Sequence, residues 1–361
     1  MIHFFPTFSR DAANSPYGEA LRRSGVPHRI FASTVRLDYR TRAKLLLVCI
    51  PRLAANAVRL AVGSLLLSRP APNTVVLGSD VEVLVFALAR TLFRRTRVRI
   101  VLASFIYTSR DSSLANALRR AVFRFVLGRT VLVVVHSRLE AERYDRIFAA
   151  TGTRFAFVPY GSAVDLRHAL IGDASAVPGE PGTVVAAGRS GRDYATLFAA
   201  MAGADADLRV ICNSASALPP TPPGGRITIL GSGDYLEFFH ETVRAAVVVI
   251  PLAVADISAG QMVLVQSMAL GKAIVVTDTP TIRDYATDSH DALLVPRGDA
   301  VAMRTAILRL LGDAALRTRL GGAAMKTYDS RLGTEGHLNG VLTAIAALDA
   351  PAPRPAAGHH P

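Results

Sequence analysis

Two segments combine residue types that could hold a phosphate or a sugar. The first is Val184-Val185-Ala186-Ala187-Gly188-Arg189-Ser190-Gly191-Arg192-Asp193. An apolar run of strand character ends in a glycine-rich turn bearing two arginines, and a helical pattern follows through Tyr194–Leu197. Alone, such a turn reads equally as a structural corner with solvated arginines. The second is Asp256–Tyr285, DISAGQMVLVQSMALGKAIVVTDTPTIRDY. It reads as a loop after the strand Val247–Ile250, a helix from Gln261 to Leu270, Gly271 as the helix stop, and a strand over Ala273–Thr277. Ser258-Ala259-Gly260 are small enough for a ligand to approach the backbone. The free N–H groups of a helix start favour a phosphate or a sugar hydroxyl, although such starts are also common without a ligand.

The elements that would position these turns are strands alternating with helices. Strands are expected at Ile2–Phe5, Thr74–Leu77, Arg99–Ala103, Val131–Val135, Phe155–Val158, Thr183–Ala187, Leu208–Cys212, Arg226–Leu230, Val247–Ile250, Ala273–Thr277 and Ala292–Val295. They are short and continuously apolar, as strands covered on both faces are. The intervening helices imply βαβ crossovers, hence an α/β chain of doubly wound parallel sheets. At 361 residues, two such domains are expected. The Pro/Gly-rich run 172–182 reads as their linker. The division is then 1–171, linker 172–182, 183–334, a helix over 335–348, and a Pro/Ala-rich tail over 349–361 that is expected to be disordered.

Charge divides the chain at the same place. Residues 1–150 hold 24 Lys+Arg against 9 Asp+Glu, a net +15, whereas the remainder holds 17 against 19, a net −2. The basic half suggests an anionic partner such as a membrane surface or a lipid phosphate. Aromatic residues do not interleave with its arginines and no nucleic-acid motif occurs, which argues against nucleic acid. Cys49 and Cys212 are the only cysteines. They exclude a disulfide scaffold and a Cys/His metal cluster and point to a reducing cytoplasm. The N-terminus reads as a first strand and not as a signal peptide. Leu45–Leu67 is nearly long enough to span a bilayer, but Arg52, Asn56 and Arg59 form one polar stripe that disfavours spanning. This segment and Leu114–Leu127 read as amphipathic helices. Each is expected to pack its apolar face on the N-terminal sheet, leaving a basic face for any membrane contact.

The run Gln266-Ser267-Met268-Ala269-Leu270-Gly271-Lys272-Ala273-Ile274-Val275 resembles the donor-binding region of glycosyltransferase family 4, usually E-G-F-G-x-P-x-x-E-A-M-A-x-G-x-P-V-V. That resemblance implies a GT-B fold: two Rossmann-like domains facing a cleft, with a nucleotide-sugar donor site in the C-terminal domain. It places Ser258 and Gln266 at the two glutamates of the family's motif. The first contacts the transferred sugar and the second the ribose. It places Gly260, Gln261 and Met262, with Ala259 beside them, where backbone N–H groups meet sugar and phosphate. Asp256 could supply the charge that Ser258 and Gln266 lack. The Gly188 turn resembles the family's basic turn, so Arg189 or Arg192 would neutralise the departing diphosphate. Asn213, Ser214, Gly231 and Tyr235 fall where the family lines the nucleotide base. On the acceptor side the resemblance points to Ser15, Tyr17, Ser104 and Tyr107. It also implies that helix 335–348 returns to the N-terminal domain.

The expected function is transfer of a hexose from a UDP- or GDP-linked donor to a lipid-linked or other cell-envelope glycan acceptor. No metal and no resident cofactor are expected. The expected site is the cytoplasm, with peripheral attachment to the inner face of the cell membrane. The alternative is a pseudo-glycosyltransferase partnering an active enzyme. His136, a lone histidine at a strand end, reads as structural.

Overall fold

In the computed structural model the described residues are 1–5, 15–31, 48–107, 113–161, 172, 179–212, 218–222, 224–231 and 235–349. They form two six-stranded, wholly parallel sheets. The first contains β1 (Ile2–Phe5), β2 (His28–Ile30), β3 (Thr74–Leu77), β4 (Arg99–Leu102), β5 (Leu132–Val135) and β6 (Arg154–Phe157) in the order β2-β1-β3-β4-β5-β6. The second contains β7 (Glu180–Ala187), β8 (Asp207–Ile211), β9 (Ile227–Leu230), β10 (Ala245–Ile250), β11 (Ala273–Thr277) and β12 (Leu293–Val295) in the order β12-β11-β10-β7-β8-β9. Strands β3, β5, β10 and β11 are buried throughout, as their unbroken apolar runs require. Edge strand β2 escapes the sequence reading. Three residues that are each partly exposed show neither an apolar run nor an alternation.

Helices follow as crossovers. In the N-terminal half they are α1 (Pro16–Arg23), α2 (Ile50–Ala61, extended by a π-helical turn Val62–Leu67), α3 (Asp80–Leu92), α4 (Ser113–Leu127) and α5 (Arg138–Ile147). In the C-terminal half they are α6 (Tyr194–Met201), α7 (Tyr235–Arg244), α8 (Gln261–Ala269), α9 (Pro280–Arg283), α10 (Ala300–Gly312), α11 (Ala314–Thr327) and α12 (Thr334–Ala346). Leu338, Val341 and Ile345 of α12 lie in the N-terminal core beside Phe4, Leu21 and Val134. The chain therefore crosses back to the first sheet at its end.

The stretch Ile50–Leu67 is long and apolar enough to cross a membrane, with 39% of it buried. It packs along α3, and Leu53, Ala57, Leu60 and Leu65 face inward. Helix α4 differs from the expectation. Only its inner side, Phe123, Val126 and Leu127, meets the core, while Leu114, Leu118, Val122 and Phe125 are exposed. Its sequence is apolar on two sides, and the sheet has room for one.

Strand order reverses between β7 and β10, where chain-order neighbours run outward in opposite directions. Such a switch point opens a crevice at the carboxyl ends of the strands. The register Val248↔Val185 and Val249↔Ala186 keeps those two ends level. The turn after Ala187 and the loop after Ile250 therefore lie side by side.

Candidate functional site

The turn after β7 is built by its glycines. Gly188 and Gly191 have φ of 106° and 65°, a region that L side chains avoid. A Cβ on Gly188 would stand 2.5 Å from an Arg192 guanidinium nitrogen, so the missing side chain is what lets Arg192 fold across the turn. Arg192 Nε donates to Ala187 O at 2.8 Å and Nη1 to Ser190 O at 3.0 Å. Tyr194, buried beneath, donates its hydroxyl to Gly188 O at 2.5 Å. Backbone bonds from Asp193 N to Pro251 O and from Ala253 N to Gly191 O, both 3.0 Å, fasten the turn to the neighbouring loop. Burial pushes the Arg192 guanidinium pKa down from its usual value. Its hydrogen bonds go to carbonyls, and among the described residues it forms no ion pair with a carboxylate. A guanidinium so placed is short of negative charge. Arg189 is exposed at the rim.

The neighbouring loop ends at Gly260, the N-cap of α8, with φ of 88°. A Cβ there would meet Ile250 Cγ2 at 3.0 Å and Leu252 Cδ2 at 3.2 Å. The helix starts with no side-chain cap, so its first amides face the crevice unsatisfied by a side chain. Gln261, 5% exposed, lines the same space, and its buried Nε2 has no hydrogen-bond partner among the described residues. A charge-deficient arginine, bare helix amides and an orphaned amide nitrogen thus converge on one cavity of about 670 Å³.

The N-terminal domain closes the opposite wall with Ser104, Ile106, His136 and Tyr160. Ser104 and His136 emerge from neighbouring strands β4 and β5. His136 Nδ1 lies 3.2 Å from Val158 O and Nε2 lies 3.0 Å from Ser104 Oγ. A carbonyl only accepts, so the proton sits on Nδ1 and Nε2 accepts from the Ser104 hydroxyl. Burial holds the His136 pKa down to about 4.

Hydrogen bonds bolt the two walls together. Tyr285 Oη donates to His136 O at 2.7 Å and accepts from Tyr160 N at 2.8 Å. Asp284 accepts from Arg138 N at 2.8 Å and Nη1 at 2.7 Å. Asp256 pairs with Arg143 at 2.6 Å. Glu140, fully buried on α5, reaches across to Ser258, accepting from its N at 2.8 Å and its Oγ at 2.5 Å.

Residues 205–313 match the family described as glycosyl transferases group 1. A phosphatidyl-myo-inositol mannosyltransferase of Mycobacterium leprae is 37% identical over 71 residues. That match covers 19% of this chain, and the chain spans about a fifth (19%) of the length of that relative. Among solved structures, sucrose-phosphate synthase from Thermosynechococcus elongatus superimposes with a TM-score of 0.64 at 18% identity, over 96% of this chain and 99% of that one. HepE of Anabaena, solved in complex with UDP and glucose, does so with a TM-score of 0.56 at 11% identity, over 96% and 99%. The fold is GT-B.

Within this GT-B cleft, Gly188, Arg189, Arg192, Ser258, Ala259, Gly260, Gln261, Met262 and Ser104 all line the cavity. Gln266 lies deeper in α8, buried and behind the wall. Gly231 is exposed outside the cavity, and Tyr235 opens α7. Asn213 and Ser214 lie outside the described residues. Two acceptor-side expectations, Tyr107 and Tyr17, are corrected. Tyr107 is core, packed edge-on against Phe123 and Phe148, with its backbone bonded to the Tyr144 hydroxyl. Tyr17 packs against Phe4 under α12, on the other face of the sheet. Ser15 caps α1 by accepting from Gly18 N at 3.2 Å. Asp256 faces Arg143 and does not line the cavity.

Sequence reasoning missed Glu140, Tyr285 and Phe238, the last of which also lines the cavity. Glu140 carries a local signal, the Ser137-x-x-Glu140 spacing of a helix start, but that signal says nothing of a partner 118 residues away. The spacing Ser79-x-x-Glu82 closes into a reciprocal capping box. At Ser137 only the serine caps, because the Glu140 carboxylate is committed to Ser258.

Proposed function

We propose that this chain is a glycosyltransferase that moves a hexose from a nucleoside-diphosphate sugar to an acceptor held by the N-terminal wall of the cleft. The observation that carries this reading is Arg192. It is a partly buried cation that pairs with no carboxylate among the described residues, at the carboxyl end of the switch-point strand, beside the first amides of α8. In the reaction the bond from the anomeric carbon to the diphosphate breaks and its electrons leave with the phosphate. The acceptor oxygen then bonds to that carbon and loses its proton. The largest electrostatic demand is charge on the departing diphosphate. Arg192 and the first amides of α8 are suited to meet it, with Arg189 assisting from the rim. The match of residues 205–313 to glycosyl transferases group 1 supports the chemistry. The UDP and glucose bound in the HepE complex support a donor of this class, UDP- or GDP-linked.

For the acceptor we favour a lipid-linked or cell-envelope glycan. The support is the basic N-terminal half and the lipid named in the description of the mannosyltransferase relative. Two buried cysteines outside any disulfide fit a cytoplasmic location. We assign no resident cofactor to the reaction, since the donor is itself a substrate.

A thermal-shift panel of UDP, GDP and their hexose conjugates tests the reading. One member at a hundredfold excess over its Kd should add about 2.7 kcal/mol of stability. Arg192→Ala should abolish the shift and Arg189→Ala should reduce it. A wild-type protein that no nucleotide stabilises would remove the proposal. A second reading, a non-catalytic partner, is favoured by one fact: Glu140 already occupies Ser258. Nucleotide binding without release of nucleoside diphosphate in the presence of acceptor would select it.

A further inference from the structure

Eleven of the sixteen large hydrophobic side chains exposed among the described residues lie in the N-terminal domain. On α4, Leu114, Leu118, Val122 and Phe125 follow one another at spacings of four, four and three, so they form one stripe. Leu114 is 80% exposed, Leu118 68% and Phe125 58%. The adjacent α3 turns Leu88 and Leu92, one turn apart and each 73% exposed, to the same solvent side of the layer. Burial explains neither stripe, because the inner faces of both helices already fill the core.

The sequence that carries these stripes is rich in arginine. Residues 83–139 contain eleven arginines, no lysine and a single acid, Asp111. Arg120 and Arg124 are exposed along the flank of the α4 stripe. Arg129 stacks over the Phe125 ring, 3.4 Å from its centroid. Burial first, and the nearby Arg129 charge second, lower the Arg90 pKa, so the C-terminal ends of α3 and α4 are close enough for their arginines to repel. Protruding aliphatic side chains beside arginines match a surface that is apolar beneath and negatively charged above. A second copy of the chain would instead set like charges opposite each other.

We propose that the outer face of α3 and α4 docks on an anionic lipid bilayer, with the leucines and Phe125 entering the acyl boundary and the arginines meeting the headgroup phosphates. This mode differs from the expectation of a basic face alone, because the apolar stripe is the part that inserts. The inference does not depend on the donor-site reading.

Vesicle flotation with full-length protein tests it, comparing phosphatidylcholine alone with phosphatidylcholine containing phosphatidylglycerol. Wild type should float with the anionic vesicles at least about tenfold more than with neutral ones, and high salt should weaken the effect. The double variants Leu118→Asp/Phe125→Asp and Arg120→Glu/Arg124→Glu should each lose about tenfold or more of that binding. All four positions are exposed, and an unchanged circular dichroism melt shows that the variants fold. Equal flotation with both vesicle types, or unchanged flotation of folded variants, would overturn the proposal. So would a wild type that sediments as a dimer without binding vesicles, with variants that are monomers, since that result identifies the face as a self-interface.

Discussion

Glu140 and Arg192 are both charged groups withdrawn from water, and they are satisfied in opposite ways. Glu140 accepts from Ser258 N, Ser258 Oγ and Ser137 Oγ, and at 3.4 Å it shares the one Tyr144 hydroxyl proton with Tyr107 O at 3.1 Å, so every neighbour it has in this network is a donor. Among the described residues Arg192 meets only carbonyls, which leave its charge uncompensated. The first arrangement is finished and the second waits for an anion. Glu140→Gln therefore places an amide donor against donors. It should cost about 2 kcal/mol or more in denaturant unfolding, and it should loosen the Ser258 loop so that nucleotide affinity falls as well. A variant as stable as wild type would show that the carboxylate is not needed as an acceptor of all four bonds.

Among the elements, α8 carries the most positional information. It begins where it does because Gly260 can take φ of 88° and because no side chain intrudes on Ile250 and Leu252. Gly260→Ala should cost about 1–3 kcal/mol through the strained backbone alone. It should also push the first turn away from β10, reducing the nucleotide-induced thermal shift by more than the loss of stability explains. An alanine variant with an unaltered shift would detach the helix start from the site. Helix α4 illustrates the converse. Its inner face is ordinary core, while its outer face has no structural task in the fold.

Across the whole molecule, three hydrogen-bonded histidines are held neutral in the fold, and the carbonyl of one of them, His136, takes part in the bonds that tie the cleft walls. His136 and His3 are held down to about 4 by burial, and His337, which lies 2.8 Å from Pro159 O, is lowered for the same reason. An unfolded histidine titrates near 6.5. Between these values the unfolded chain binds protons that the folded chain refuses, so stability falls as pH drops through that window and is intact above it. The melting temperature should decline from pH 7 toward pH 4.5. His136→Asn should flatten the decline by about 1.4 kcal/mol per pH unit. Melting curves that are parallel for the variant and wild type across this range would contradict a neutral His136.

Local sequence was sufficient for every described strand but β2, for their parallel arrangement and for the two turns that form one side of the cavity. Continuous apolar runs, glycine-rich corners and a helix stop at Gly271 are properties of neighbours along the chain. The GT-B fold follows from them together with the family resemblance. The opposite side of the cavity was not legible, because it depends on which strand ends face each other across two domains. Ser104 could be proposed from its strand end, but Tyr107, three residues later, turned into the core when Tyr144 captured its backbone. Nothing in the sequence around Glu140 points to a partner in the other domain, and only folding brings Ser258 Oγ within 2.5 Å of it. The apolar outer face of α4 was hidden in the same way. An amphipathic pattern shows that a helix has a greasy side, and only packing decides whether that side meets the sheet or the solvent.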